Sequence, residues 1–96
     1  MIEVRKTETF ATWLDGLRDM RARARIQARL ERLAKGNTGD VKPVGQAVSE
    51  LRIDYGPGYR VYYTKRGQDL VILLAGGDKR TQATDIKTAL QLARNL

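Results

Sequence analysis

The stretch Glu50-Leu51-Arg52-Ile53-Asp54-Tyr55-Gly56-Pro57-Gly58-Tyr59-Arg60-Val61-Tyr62-Tyr63 constrains the fold more than any other part of the chain. Apolar and polar residues alternate on both sides of Gly56-Pro57-Gly58, which predicts a β-hairpin closed by a three-residue turn. Successive strand side chains point to opposite faces, so Leu51, Ile53, Tyr55, Tyr59, Val61 and Tyr63 share a buried face. Glu50, Arg52, Asp54, Arg60, Tyr62 and Thr64 fall on the other. With Tyr55 opposite Tyr59, the register sets Asp54 beside Arg60 and Arg52 beside Tyr62. Read structurally, these are a cross-strand ion pair and a cation–π contact, each contributing about 0.2–1 kcal/mol. Read functionally, two fixed arginines on one sheet face form a platform for a phosphate.

The rest of the composition narrows the chemistry. A chain of 96 residues predicts a single domain, 1–96, with one core and no linker. It has no Cys, which excludes disulfides, thiolate nucleophiles and Cys-ligated zinc. It has no His either, which excludes histidine acid–base chemistry and His-ligated metals. No metal or cofactor is expected. Charges at Glu3, Arg5, Lys6 and Glu8 leave no signal-peptide core, and no apolar run approaches a membrane span, so a cytoplasmic protein with no membrane partner is expected. The net charge of +7 favours a polyanion, either nucleic acid or an acidic protein segment.

In chain order, Ile2 and Val4 alternate with Glu3 and Arg5 as a short edge strand. Phe10, Trp13, Leu14 and Leu17 recur at helical spacing after a cap at Thr7 or Thr9, with an end near Gly16 and Trp13 as a core anchor. A second helix runs from about Asp19 to Lys35, closed by Gly36-Asn37. Its apolar stripe is Ala22, Ile26, Leu30 and Leu33; Arg18, Arg21, Arg25, Arg29, Arg32 and Lys35 form a second, cationic stripe. That stripe is either a solvated face, a track for RNA backbone through Arg21, Arg25, Arg29 and Arg32, or a dock for an acidic partner. Residues 36–45, rich in Gly with Pro43, predict a mobile loop. After a turn at 65–69, Leu70-Val71-Ile72-Leu73-Leu74-Ala75 has no polar position and reads as a central strand. Gly76-Gly77-Asp78-Lys79-Arg80 leaves it as a tight loop carrying two cations. Ala83, Ile86, Leu90 and Ala93 then define a C-terminal helix.

The expected class is α+β, in the order β-α-α-β-β-β-α: a helical hairpin packed on a small, mostly antiparallel sheet, with a C-terminal helix. In this arrangement the helices cover one sheet face and leave the other free to present Arg52, Arg60 and Tyr62. Lys79 and Arg80 emerge near the same edge.

These features carry a resemblance. The basic helical hairpin, Glu50-Leu51-Arg52, Gly58-Tyr59-Arg60-Val61-Tyr62-Tyr63 and Gly76-Gly77-Asp78-Lys79 resemble the RelE/ParE superfamily of toxins, above all its HigB-like, phage Gp49-related branch of addiction-module killer proteins. The resemblance covers nearly the whole chain. It implies a ribosome-dependent mRNA endonuclease held inactive by a small neighbouring antitoxin, in this branch often a helix-turn-helix protein. It also implies that Arg52, Arg60 and Lys79 or Arg80 surround the scissile phosphate; Tyr62 on the free sheet face and Arg21, Arg25, Arg29 and Arg32 are the expected RNA contacts beside them. The residues suit that chemistry, because guanidinium and ammonium groups stabilise charge building on phosphoryl oxygens without a metal. One departure is plain. Nuclease relatives carry a Tyr or His near the start of the last helix, where this chain has Thr84-Asp85-Ile86-Lys87. Asp85 or Lys79 is then the candidate for proton transfer, and two alternatives stay open: a ParE-like toxin that poisons DNA gyrase, and a basic nucleic-acid-binding module.

Overall fold

A computed structural model describes residues 2–96 of the chain. Strand β1 (Glu3–Lys6) passes directly into helix α1 (Glu8–Asp15), and Thr7 makes the junction. The Thr7 hydroxyl oxygen accepts from the Phe10 N–H at 3.1 Å and donates to the Leu74 carbonyl at 2.6 Å, capping the helix and anchoring it to the middle of the sheet. Phe10 and Leu14 are buried. Trp13 packs edge-on to Tyr59 and tilted to Phe10, over Gly76, where a Cβ would lie 2.1 Å from the indole. Only glycine admits the ring there.

Helix α2 (Met20–Ala34) is capped by Asp19, whose carboxylate accepts from the Arg21 and Ala22 N–H groups. Its end is a glycine cap: Gly36 has φ +87°, and the N–H groups of Gly36 and Asn37 return to the carbonyls of Leu33 and Arg32. Ala22, Ile26, Leu30 and Leu33 are its buried residues, the predicted stripe. Each large one contributes roughly 1.5–3 kcal/mol.

Four further strands, β2 (Val41–Gly45), β3 (Val48–Ile53), β4 (Tyr59–Arg66) and β5 (Leu70–Gly77), complete a sheet of order β1-β5-β4-β3-β2. Among the described residues only β1 and β5 pair in parallel. Helix α3 (Gln82–Arg94) follows a short 3-10 turn, Lys79–Thr81. This is the α+β architecture expected, with three corrections that bear on the site.

The first is β2. The segment read as a mobile loop is an edge strand, with Pro43 where the missing N–H faces away from the ladder. It turns into β3 through Gln46 and Ala47, both non-glycine residues at positive φ of 50° and 64°. The second is the register. Ile53 lies opposite Tyr59, so the connecting loop has five residues and Arg52 faces Arg60, not Tyr62, while Tyr62 faces Glu50. The third is cover. Helix α1 and helix α2 pack on Leu51, Ile53, Tyr59, Val61, Tyr63, Val71 and Leu73, while α3 packs on Val48, Tyr62, Leu74 and Ala75 of the opposite face. Ala89 and Ala93 make that contact with Ile86 and Leu90, while Ala83 is exposed. The polar face is therefore roofed over most of its length, and what remains open is its rim.

Candidate active site

Arg52 and Arg60 are direct cross-strand partners, an arrangement that places like charges opposite each other and is unfavourable alone. The residue that makes it tenable is Glu50, two positions before Arg52 on the same face. Its carboxylate is fully buried. Oε1 lies 3.3 Å from Nε of Arg52 and 3.8 Å from Nε of Arg60. Oε2 accepts from the Tyr62 hydroxyl at 3.0 Å and from Nε2 of Gln82, at the start of α3, at 2.7 Å. A carboxylate survives burial only when paired and hydrogen-bonded in this way. Burial first, and donation to Glu50 second, push the Tyr62 phenol well above its ordinary range, so it stays a neutral donor. With no exposed surface, Tyr62 cannot stack on a base, and its expected part in RNA binding is corrected to a structural one.

Beyond this network the sheet rim opens into a cleft of about 350 Å³ lined by Asp40, Arg52, Asp54, Gly58, Arg60 and Lys79 among others. Arg60 is held by Nη1, which donates to the carbonyls of Gly58 and Tyr59, while its buried Nε has no hydrogen bond among the described residues. Gly58 takes φ +82°, a conformation that favours glycine, and sits against Lys79 and Arg60: a Cβ there would make ordinary contact, 3.6 Å, with Arg60 Nη1 and Lys79 Cβ. Three cations thus share one concavity with two aspartates. The expected members part company here. Arg80 is almost fully exposed and pairs with Asp78 at 3.0 Å, holding the Asp78 carboxyl below the usual range, and it does not line the cleft. Asp85 does not line it either. Its Oδ2 sits over Gly77, the strand partner of Arg60, and accepts from the Thr81 hydroxyl at 2.5 Å.

A smaller neighbouring cleft of about 260 Å³ is lined by Arg25, Arg29, Arg32, Ile53 and Asp54 among others, and shares Ile53 and Asp54 with the first. The helix stripe therefore meets the cleft across one rim. Arg29 is not free for RNA, because its Nη1 donates to the Arg52 carbonyl and its Nη2 to those of Thr38 and Asp40. Arg25 lies 4.8 Å over the Tyr55 ring, and Arg21 and Arg32 are exposed. Sequence reasoning missed Glu50, Gln82 and Asp40 as parts of the site. The only signal for Glu50 was its opposite charge two residues from Arg52 on one strand face.

The fold and the cleft can now be set beside known proteins. Residues 12–96 match the family described as Phage derived protein Gp49-like (DUF891). The chain belongs to this family of RelE-like toxins. A Haemophilus influenzae protein described only as uncharacterized is 53% identical to it over 95 residues, covering 99% of this chain and 96% of that one. Among solved structures, the Gp49-like chain superposes on the Escherichia coli toxin RelE, a double arginine mutant in the free state, with a TM-score of 0.74. That match covers 99% of this chain and 98% of the other at 16% identity, so it speaks for the fold. Family and fold together support a toxin of the toxin–antitoxin kind, and with it an antitoxin partner. Among the described residues no helix is long and apolar enough to cross a membrane.

Proposed function

We propose that this Gp49-like chain is a ribosome-dependent mRNA endonuclease of the cytoplasm, neutralised by a small helix-turn-helix antitoxin encoded beside it. The observation that carries the reading is the convergence of Arg52, Arg60 and Lys79 on one cleft at the sheet rim. In the reaction, a ribose O2′ attacks the adjacent phosphorus and the bond to O5′ breaks, giving a cyclic phosphate and a 5′-hydroxyl. Charge builds on the phosphoryl oxygens, where two forked guanidiniums and an ammonium stabilise it. The O2′ proton passes to a base, and one returns to O5′. Lys79, Asp40 and Asp54 are the chain's groups at the cleft for that transfer. Asp85 is displaced from it by its bond to Thr81.

A gyrase-directed toxin is the second reading, favoured by one observation. The start of α3 brings only Gln82 to the network, through Glu50, and offers the site no aromatic or imidazole side chain. Purified chain added to translating ribosomes should cut mRNA in the decoding site and leave naked RNA intact. Intact mRNA on every ribosome tested, together with accumulating gyrase–DNA complexes, would transfer the assignment to the second reading.

A further inference from the structure

Glu50 does not line the cleft, yet both arginines that do are built around its carboxylate. Oε2 is committed inward and upward, to Tyr62 and Gln82, which leaves Oε1 facing the two guanidiniums. Each arginine meets Glu50 through Nε, its inner edge. Arg60 Nη1 is turned onto two loop carbonyls, and Arg52 Nη1 lies 4.0 Å from Asp40. Nη2 of both arginines carries no hydrogen bond among the described residues.

We propose that Glu50 is a positioning residue that holds Arg52 and Arg60 side by side, so that the two guanidiniums grip a single RNA phosphate. The proposal rests on the reading of the cleft as an RNA phosphate site and names what assembles it. The physics is that of preorganisation. Two directly opposed guanidiniums repel and splay apart unless an anion sits between their inner edges. A buried, satisfied polar network fixes that anion, so the donors need not reorganise when phosphate arrives. Gln82 and Tyr62 orient the carboxylate, and Gln82 makes the arrangement depend on α3 being docked.

The full-length Glu50→Gln variant keeps the side-chain shape and an acceptor for Tyr62 while removing the charge. Single-turnover cleavage on ribosomes should slow by about 10²-fold at saturating substrate, the cost of roughly 1 Å of misplacement at the reacting centre. A 2′-O-methyl RNA, which cannot cleave itself, should bind the variant more weakly than the parent. Because Glu50 acts through the arginines, the same change made in an Arg52→Ala, Arg60→Ala background should alter probe binding no further. Equal cleavage and probe binding by Glu50→Gln and parent, or a loss that persists undiminished in the double-alanine background, would overturn the proposal. Should Glu50→Gln not fold, Gln82→Ala takes its place, with an expected loss of about tenfold for one hydrogen bond to a charged carboxylate; no loss refutes. If the parent neither cuts nor binds RNA, the RNA reading fails on its own. The positioning role is then read from the arginine Nε–H resonances, which should lie away from the free-arginine position for Arg52 and Arg60 in the parent and move toward it in Glu50→Gln; unchanged resonances would refute it.

Discussion

Replacing Arg60 with alanine separates chemistry from architecture, because the structure says how little the fold should notice. The Arg60 side chain is only 12% exposed, and deleting one partner of a buried ion pair ordinarily costs about 3–5 kcal/mol by stranding the other charge. Here nothing is stranded. Glu50 keeps Arg52 at 3.3 Å, Tyr62 at 3.0 Å and Gln82 at 2.7 Å, and Arg52 is relieved of the like charge opposite it. The carbonyls of Gly58 and Tyr59 lose a donor at the edge of an open cleft, where water replaces it. What remains is lost packing of the aliphatic stem, about 1 kcal/mol, or a fall of about 4–8 °C in Tm for a chain of this size. Cleavage should fall far more, by about 10²–10³-fold, as when one preorganised oxyanion donor is removed. Thermal unfolding by circular dichroism and single-turnover cleavage on ribosomes measure the two effects in one preparation. A melting point lowered by 20 °C with cleavage per folded molecule intact would show that Arg60 serves the sheet and not the phosphate.

Other consequences follow from the packing and the charges. Gly76→Ala should lower stability by about 2 kcal/mol, since a methyl group 2.1 Å from the Trp13 ring forces the indole off Phe10 and Tyr59; tryptophan fluorescence would report both the melt and the displacement. Ala47→Gly should raise stability by about 0.5–1 kcal/mol in chemical denaturation, because it relieves a residue at φ 64° in a two-residue turn. The Tyr62 pKa is raised in the folded chain above its unfolded value, so its contribution is complete below about pH 10 and lost as pH climbs beyond it, at about 1.4 kcal/mol per pH unit. Tyr62→Phe should flatten that alkaline limb in a denaturation series. Arg21→Gln with Arg25→Gln should reduce the log–log salt slope of single-stranded RNA binding by about 0.7 for each phosphate contact removed; an unchanged slope would return that helix face to solvent.

How much of this was legible beforehand divides along a physical line. Helix α2 was readable to within a residue at each end, buried stripe and terminating glycine included, because each is a local signal. Strand β2 was not, since Pro43 and Gly45 mark a loop unless one knows that the segment lies at a sheet edge, where a proline needs no partner. Alternation sorted the hairpin residues onto the right faces but could not count its loop. A two-residue change in loop length slid Arg60 from Asp54 to Arg52. Nor does alternation say which polar face is covered. Glu50, Arg52 and Tyr62 look alike in sequence, and only the arrival of α3, with Gln82 at its first turn, separates a buried carboxylate and phenol from a half-open arginine.

The position of β5 between β1 and β4 has a consequence for how such a chain is made. Glu3–Lys6 hydrogen-bonds to a strand that begins at Leu70, so β1 waits for a partner made much later in the chain. Lys79 and Gln82 come later still, one on the cleft wall and the other closing over Glu50. A nascent chain in which residues 77–96 are missing, or still lie in the exit tunnel, has the hairpin and both arginines but neither Lys79 nor Gln82. The cationic cleft is therefore complete only once α3 has been made, and a chain that stops before Lys79 holds Arg52 and Arg60 without the third cation or the Gln82 contact to Glu50.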